Sequence, residues 1–336
     1  MSARIGLLGV AHLHVDAYIA NLDATGATVV GVTDHDPVRG RQWATAHGVP
    51  WFDSPAELLA AGVDGVVVCS ENSRHLPLVQ AAAAAGVAVL CEKPLATTEE
   101  DSRAVVEACR EAGVPLMTAF PSRFNPVMRD GIAEVHSGRL GGVLSAVGVN
   151  QGKMPMAERA WFVDPAQSGG GALIDHVVHL ADLLRWLLGS DPVEVYAVAN
   201  RVLHGQVVSV ETGGLVVLTF ADGTYASIDS SWSRPERYPT WGGMALELVC
   251  EKGVLSLDAF SQFATVYGGA QGDLAWAAWG SDSNQGMIDE FVSVCAGGAV
   301  PRVTGEDGLA ATRIAFAALE SARTGQPVRL GSSSAG

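Results

Sequence analysis

The first ~120 residues alternate short apolar runs with alanine-rich stretches, with one apolar run about every 25 residues. Continuous Val/Ile/Leu runs are typical of strands buried on both faces, and the helical stretches between them are typical crossover connections of a parallel sheet. The pattern therefore predicts an α/β domain with a covered parallel sheet. The predicted strands are 4–9, 28–33, 64–69, 86–91 and 114–119, and the predicted helices are 12–24, 38–47, 55–61, 73–85 and 98–112.

After Pro121 the pattern changes to alternating segments separated by turn signals such as Asp222-Gly223. Alternation of apolar and polar residues is typical of strands with one solvated face, which form antiparallel or mixed sheets. Gly189 follows a strongly amphipathic stretch and predicts the end of a helix. The predicted helices are 123–137, 173–188, 284–296 and 306–323, and the predicted strands are 144–149, 193–203, 207–220, 224–232, 245–250 and 254–258.

The length of 336 residues fits two domains. Hydrophobic residues make up 48% of the chain and charged residues 17%, which allows a large core and argues against disorder. We expect a dinucleotide-type domain over residues 1–121, an α+β domain over residues 122–330 and a loose tail over residues 331–336.

Charge and cysteine content exclude several classes of protein. The net charge of −15 opposes binding to nucleic acid, which needs a surplus of Lys and Arg. No window reaches the ~18 apolar residues of a membrane span, and Met1 leads within a few residues into a strand, so we expect neither a membrane anchor nor a signal peptide. The five cysteines are scattered and odd in number, which argues against a disulfide framework and a structural zinc site. We therefore expect a cytoplasmic protein.

The turn after the first predicted strand reads Gly9-Val10-Ala11-His12-Leu13-His14. Only its first glycine matches the dinucleotide pattern Gly-x-Gly-x-x-Gly. Ala11 still allows the backbone to approach a pyrophosphate closely, whereas His14 occupies the third glycine position. The turn alone is weak evidence for a dinucleotide site.

Asp34 strengthens this interpretation, since it ends the second predicted strand 25 residues beyond Gly9. An acid at this position can accept hydrogen bonds from the adenosine ribose, and it repels a 2′-phosphate, which favours NAD over NADP. Arg39 and Arg41 follow closely, so NADP is not excluded. The alternative role of Asp34 is to open a turn with Asp36.

The sequence Glu92-Lys93-Pro94 follows the predicted strand 86–91. A lysine at the carboxyl end of a parallel strand faces the crevice where open α/β sheets bind ligands. There its ammonium can polarise a carbonyl or hydroxyl group at the reacting carbon. Because X–Pro bonds have only a small trans preference, Lys93-Pro94 is also a candidate cis peptide.

A second candidate site begins at Gly169-Gly170-Gly171, where we expect the backbone to approach something closely. Asp175 and His179 follow, four residues apart on one helix face, with Asp182 one turn further. An imidazole is a suitable acid/base for a secondary alcohol, and a neighbouring carboxylate can orient it or bind a hydroxyl. The structural alternative is an acid that complements the helix dipole and a buried core histidine.

With these motifs the chain resembles the glucose–fructose oxidoreductase / inositol dehydrogenase / rhizopine-catabolism (Gfo/Idh/MocA) family. The resemblance implies an N-terminal Rossmann domain with a parallel sheet and a C-terminal α+β domain with a large, mostly antiparallel open sheet. It also implies NAD(P)-dependent, metal-free oxidation or reduction of sugars, polyols or their derivatives, and a homodimer or homotetramer. It extends from Arg4 to about Arg329 and rests on residues 6–9, Asp34, Glu92-Lys93-Pro94, residues 169–171, Asp175 and His179.

The resemblance further implies a role for individual residues. Lys93 would hydrogen-bond the reacting oxygen, His179 would be the principal acid/base, and Asp175 would bind and orient the substrate. Arg123 and His176 would also face the substrate. The residues implied to bind the cofactor are Gly9, Ala11, His12, Leu13, Asp34, Ser70, Asn72, His75, Glu92 and Lys93.

Several histidines depart from the family pattern. If His12, His14, His176 and His179 converged, they could bind a metal, because neutral imidazoles are common ligands. The alternative is that His12 and His14 open the first helix and contact the cofactor or neighbouring loops. We expect the second arrangement, and therefore no metal.

Three functions follow from these expectations. The leading one is an NAD(P)-dependent dehydrogenase or reductase acting on a carbohydrate-like secondary alcohol or its ketone. A nucleotide-sensing regulator without catalysis is the second, and the intact Lys93, Asp175 and His179 argue against it. The third is a glycoside hydrolase with a recycled NAD, which would show no net cofactor reduction.

Overall fold

The computed structural model describes residues 2–157, 159–267, 274–278 and 280–331, so all but the first residue of the expected tail 331–336 lies outside the described residues. The chain divides into two compact units. The first unit comprises Met1–Pro121, Met156–Gly169 and Asn284–Thr312, and the second comprises Ser122–Pro155, Gly170–Ser283 and Arg313–Gly336.

Two segments assigned from the sequence to the second domain therefore belong to the first unit. Packing explains this assignment for each of them. In residues 156–169, the indole N–H of Trp161 donates to the carbonyl oxygen of Ala11 at 3.1 Å. In residues 284–312, Phe291 and Cys295 pack so closely on Gly65 that a Cβ there would lie 2.3 Å from the sulfur.

The first unit contains a five-stranded parallel sheet with helices between the strands, which confirms the predicted Rossmann topology. Its strands are β1 (Arg4–Leu8), β2 (Thr28–Thr33), β3 (Gly65–Val68), β4 (Ala88–Cys91) and β5 (Leu116–Thr118), and the intervening helices are α1 (Val15–Thr25), α2 (Pro37–His47), α3 (Pro55–Ala60), α4 (His75–Ala84) and α5 (Glu99–Ala112). The strand order is β2-β1-β3-β4-β5. The strands β3 and β4 are fully buried, as continuous apolar runs require.

Local sequence signals account for the helix bounds. Helix α2 begins after Asp36, whose carboxylate accepts the N–H groups of Val38 and Arg39, and Pro37 occupies its first turn. It ends at Gly48, which adopts the left-handed conformation with φ of 65°. The helix predicted over residues 38–47 thus begins one residue earlier than expected and ends where expected.

The second unit contains a seven-stranded, mostly antiparallel sheet, as expected. Its strands are β6 (Val143–Gly152), β7 (Pro192–Asn200), β8 (Gly213–Phe220), β9 (Tyr225–Ser231), β10 (Gly242–Cys250), β11 (Gly253–Asp258) and β14 (Val328–Arg329), and a separate hairpin is formed by β12 (Phe263–Tyr267) and β13 (Leu274–Ala278). The order is β11-β10-β6-β9-β8-β7-β14, and only β6 and β9 pair in parallel. The remaining α-helices among the described residues are α6 (Pro126–His136), α7 (Pro165–Ser168), α8 (Ala172–Leu188), α9 (Ser283–Cys295) and α10 (Gly305–Thr324).

Helix α8 packs on one face of this seven-stranded sheet. The sheet residues on that face, such as Ala146, Val216 and Ile228, are buried, and the hydroxyl of Ser230 donates to the carbonyl oxygen of Ala172. Thirteen of the 17 residues of α8 are buried, which explains its continuous apolar character. The opposite face of the sheet carries exposed apolar side chains.

One predicted strand, 207–220, begins later than expected. Its first residues form turns, in which the N–H of Val207 donates to the carbonyl oxygen of His204, and strand β8 starts only at Gly213. Within the described part of the chain, no helix combines the length and the apolar character needed to cross a bilayer.

Candidate functional site

The turn after β1 is held against the ends of the neighbouring strands. Gly9 has φ of 88°, and a Cβ there would lie 2.7 Å from the Cα of Ser70, so only glycine fits. Its N–H donates to Thr33 at the end of β2, and the N–H of His12 donates to Cys69 after β3. The turn therefore presents backbone and the start of α1 at the sheet edge where dinucleotides bind.

A distant segment covers this turn. The carbonyl oxygen of Ala11 accepts hydrogen bonds from Nε of Arg159 at 2.7 Å and from Nε1 of Trp161 at 3.1 Å. Trp161 and Phe162 pack with Ala11 and the half-buried Leu13 in a small apolar cluster. These residues could not be predicted from the sequence, because about 150 positions separate the partners and no local motif connects them.

Asp34 lies at the end of β2 and is buried. Its carboxylate accepts the N–H of Val10 at 2.7 Å and that of Asp36 at 2.8 Å, so the predicted turn with Asp36 is present. Arg39 donates to Asp34 at 2.6 Å and to Glu71 at 2.9 Å. Burial opposes the guanidinium charge, but the bonds to both carboxylates outweigh it and raise the pKa of Arg39.

His12, His14 and Tyr18 surround one oxygen of Glu92, which follows β4. Oε1 lies 3.4 Å from Nδ1 of His12 and 3.0 Å from Nδ1 of His14, and it accepts the Tyr18 hydroxyl at 2.7 Å. Burial lowers the pKa of His12 well below its ordinary value. Burial also opposes ionisation of Glu92, but the neighbouring imidazoles outweigh it and lower the pKa of that carboxyl group.

Ligand atoms of His12, His14 and Glu92 lie within 4.8 Å of one another, which is close enough to hold a metal ion. The hydrogen bonds from His14 and Tyr18 satisfy Glu92 without an ion. The Nε2 atom of His12 is buried and has no hydrogen-bond partner. Of the four histidines considered for a metal site, His12 and His14 are therefore neighbours. His176 belongs to the second unit.

Lys93, the second residue after β4, is buried, with 4% of its surface exposed. Its peptide bond to Pro94 is cis, which confirms the expectation from the sequence. Its backbone N–H lies 3.2 Å from Oε2 of Glu92. The buried ring of His75 faces the carbonyl oxygens of Pro94 at 3.0 Å and Ser70 at 3.3 Å, so His75 supports the backbone around Lys93.

Asn72 lies four residues after the end of β3 and is buried. Its amide nitrogen donates to the carbonyl oxygen of Ser168 at 2.8 Å, and its Oδ1 is buried without a partner. An unsatisfied buried acceptor fits a ligand that brings a donor. Together with the cradle at Gly9 and the acid Asp34, it fits a dinucleotide such as NAD.

The glycines before α8 approach a segment of the same unit. A Cβ on Gly171 would lie 2.0 Å from the carbonyl oxygen of Glu211. The carboxylate of Glu211 accepts the N–H groups of Gly171 at 2.8 Å and Leu173 at 3.1 Å, and so caps the helix. Burial raises the pKa of Glu211. The close approach expected from the glycines is therefore explained by Glu211.

Asp175 lies in the first turn of α8 and is 7% exposed. Its Oδ2 accepts the indole N–H of Trp232 at 3.0 Å and lies 3.1 Å from Nε2 of His176. Nδ1 of His176 lies 3.0 Å from the carbonyl oxygen of Asn150. His179 follows one turn later and is partly exposed. This helix thus presents a fixed carboxylate and a more accessible imidazole.

Arg123 is also buried, and its guanidinium makes two hydrogen bonds to Asp182, at 2.6 and 2.7 Å. It also lies over the ring of Trp186 at 5.5 Å. The structure thus assigns Arg123 an ion pair that the sequence did not predict. Its expected contact with substrate stays a prediction.

Comparison with known proteins gives matches along nearly the whole chain. Residues 3–120 match the model described as "Oxidoreductase family, NAD-binding Rossmann fold", and residues 133–256 match the model "GFO/IDH/MocA C-terminal domain". The chain is 31% identical to the 1,5-anhydro-D-fructose reductase of Ensifer adhaerens, over 97% of this chain and 98% of the relative. It is 30% identical to the inositol 2-dehydrogenase of Rhizobium meliloti (strain 1021), over 96% and 97%.

The fold has similarly close matches among solved structures. The structure of GenD2 from gentamicin A biosynthesis, in complex with NAD, superimposes with a TM-score of 0.87. The two sequences are 25% identical, and the match covers 98% of this chain and 97% of that one.

Proposed function

This chain belongs to the GFO/IDH/MocA family of oxidoreductases, and we propose that it interconverts a secondary alcohol and its ketone in a sugar, polyol or related derivative. The observation that carries the proposal is a buried lysine at the end of β4, in a unit that carries the NAD-binding Rossmann turn. The relatives named above are a reductase and a dehydrogenase. These names favour net redox chemistry over the nucleotide sensor and the glycoside hydrolase.

Lys93 is proposed to bind the reacting oxygen. Bound NAD supplies or accepts the hydride through its nicotinamide ring. The ammonium of Lys93 would donate a hydrogen bond to the substrate oxygen and stabilise the negative charge that grows on it during oxidation. Since Lys93 is buried, water screens this interaction little.

His179 and Asp175 are proposed to manage the proton and the substrate. His179 would take the hydroxyl proton during oxidation and return it during reduction. Its partial exposure gives that proton a path to solvent. Asp175 would accept hydrogen bonds from substrate hydroxyl groups, with one of its oxygens held by the indole of Trp232.

We infer that NAD is preferred over NADP. The carboxylate of Asp34 would repel a 2′-phosphate, and the nearby cation that could compensate, Arg39, is already paired with Asp34 and Glu71. Arg41 is paired with Asp53. Both arginines that left NADP open in the sequence therefore have acidic partners.

We also infer a homo-oligomer and a cytoplasmic location. The outer face of the seven-stranded sheet exposes apolar side chains, among them Val147, Tyr225 and Leu215, at 46–56% exposure. A second copy covering this face would explain an exposed apolar patch. All five cysteines are free, as expected in a reducing compartment. Light scattering coupled to gel filtration tests the oligomer, and a monomer at micromolar concentration would contradict it.

The function is tested by following the absorbance of reduced nicotinamide with a panel of polyols, aldoses and their keto forms, using NAD and NADP separately. We expect turnover with NAD, and a loss of about 10²- to 10⁴-fold in kcat for Lys93→Met. Lys252→Met removes an exposed lysine and is the matched control. Turnover that survives in Lys93→Met would remove the proposed role of Lys93. Absence of any net nicotinamide reduction would favour the sensor or the hydrolase.

A further inference from the structure

The carboxylate of Glu71 lies among three basic side chains. Glu71 is the third residue after β3 and is buried, whereas its three neighbours are partly exposed. Its Oε1 accepts a hydrogen bond from Nη1 of Arg39 at 2.9 Å. Its Oε2 lies 3.4 Å from Nδ1 of His35 and 3.9 Å from Nε of Arg74. One carboxylate of the chain is thus surrounded in the way that a bound anion would be.

The contacts of Oε2 depend on charge. This oxygen has no hydrogen-bond donor among the described residues, and the nitrogen atoms of His35 and Arg74 lie at ion-pair distance from it. Glu71 is only 2% exposed, so water screens its charge little. An amide of the same size in place of the carboxylate would therefore remove most of the attraction that this residue exerts on the neighbouring cations.

Glu71 lies at the ribose end of the proposed cofactor site. Arg39 also donates to Asp34 at 2.6 Å, so its guanidinium joins the two carboxylates. Asp34 in turn accepts the N–H of Val10, in the glycine turn, at 2.7 Å. The strands that precede the two acids, β2 and β3, both pair in parallel with β1, so their carboxyl ends share one edge of the sheet. In dinucleotide sites the 2′ position of the adenosine ribose lies beside the acid that follows the second strand.

The arginines and the acids of this cluster balance only with Glu71 in place. Without it, the guanidinium groups of Arg39 and Arg74 would face a single carboxylate, that of Asp34. Guanidinium groups bind phosphate oxygens through paired donors. We propose that Glu71 is a specificity-determining residue: its carboxylate occupies a latent 2′-phosphate site, formed by His35, Arg39 and Arg74, and so excludes NADP.

This inference rests on the NAD preference proposed above and gives it a second cause besides Asp34. The ribose of NAD carries a neutral hydroxyl group at the 2′ position, so the charge of Glu71 changes its binding little. A 2′-phosphate carries between about one and two negative charges near neutral pH. It would be repelled by Glu71 and would also find the two arginines engaged with this carboxylate.

Binding of NADH and NADPH to the full-length protein, measured by nicotinamide fluorescence without any substrate, tests the inference. We expect Glu71→Gln to lower the Kd for NADPH about tenfold or more and to change the Kd for NADH less than about threefold. Glu107→Gln removes a carboxylate from an exposed ion pair on α5 and is the matched control, which should change neither Kd. An unchanged Kd for NADPH in a folded Glu71→Gln protein would overturn the inference.

Further measurements separate the role of Glu71 from that of Asp34. Asp34→Ser should weaken the binding of NADH, because the ribose loses its acceptor, whereas Glu71→Gln keeps that acceptor. Adding Arg39→Gln to Glu71→Gln should remove most of the gain in affinity for NADPH. Added salt should weaken the binding of NADPH to Glu71→Gln more steeply than that of NADH. A gain that survives in full without Arg39, or an equal salt dependence for both cofactors, would contradict the phosphate site.

Arg39→Gln alone covers the case in which the Glu71 variant does not fold. It leaves Glu71 in place without the guanidinium that compensates its charge, so the Kd for NADPH should rise about threefold or more above that of the wild type. Adenosine 2′,5′-bisphosphate, used as a competitor of NADH, should show the same loss. A wild-type Kd for both would overturn the inference. Because no turnover is measured, these outcomes do not depend on whether the proposed oxidoreductase activity holds.

Discussion

The buried pair of Arg123 and Asp182 gives the sharpest quantitative prediction. Both side chains are almost fully enclosed, at 8% and 0% exposure, and two hydrogen bonds of 2.6 and 2.7 Å join them. Replacing one partner removes the opposite charge that faces the other, which stays buried. We expect Arg123→Met and Asp182→Leu each to lower the free energy of unfolding by about 3–5 kcal/mol.

The double variant should behave differently. With both charges removed, the apolar side chains fill the same space, and the cost should fall to roughly zero, apart from the lost contact of Arg123 with Trp186. The single losses therefore sum to about 6–10 kcal/mol, whereas the double variant loses about 1 kcal/mol. A coupling free energy of this size is the signature of a buried ion pair.

Urea unfolding followed by circular dichroism measures all four proteins. The matched control is the exposed pair of Arg110 and Glu107, for which Glu107→Gln should change the stability by less than about 1 kcal/mol. Losses that simply add in the double variant would refute the reasoning. The double variant also tests the expected contact of Arg123 with substrate, because an unchanged KM in a folded protein would exclude that contact.

Three shorter predictions concern the first unit. Asp34→Ser removes the ribose acid and releases Arg39, so the ratio of kcat/KM for NADP to that for NAD should rise at least about tenfold; an unchanged ratio would contradict the proposed cofactor preference. Because burial depresses the pKa of His12 below its unfolded value of about 6.5, the folded state binds fewer protons there, and stability should fall as the pH drops below that value; urea unfolding at several pH values should show less of this loss in His12→Asn. Elemental analysis of protein purified without chelator should find no stoichiometric metal at His14 and Glu92, and stoichiometric zinc would show that the donors form a metal site.

The parallel sheet could be predicted closely from the sequence, because each buried strand is a continuous apolar run. Strand β4, for example, was expected at 86–91 and spans Ala88–Cys91. The strands of the second unit were harder to predict from the sequence. Strand β14 has two residues, too few for any periodicity, and it exists because Val328 and Arg329 pair with β7. The turns before β8 were read as strand, since Val207 and Val208 have high strand propensity without a pairing partner.

In the candidate site, too, some residues could be predicted from the sequence and others could not. Residues with a local motif, such as Lys93 and Asp175, could be singled out from the sequence, and their roles stay predictions. Partners without such a motif could not: Trp232 is 57 residues from Asp175, and Trp161 is 150 residues from Ala11. A hydrogen bond between distant segments leaves no periodic trace in the sequence, and only the folded sheet brings these groups together.

Motif residues and their distant hydrogen-bond partners contribute differently to the proposed reaction. The motif residues determine which reaction the site can catalyse, whereas the distant partners determine how the side chain of a motif residue is oriented. In this chain, Oδ2 of Asp175 accepts the indole N–H of Trp232, which holds one oxygen of the carboxylate in place. A relative with the same motif and different partners would therefore keep the reaction type and hold the carboxylate in a different orientation. Sequence motifs are for this reason better predictors of the reaction class than of the orientation of the groups that carry it out.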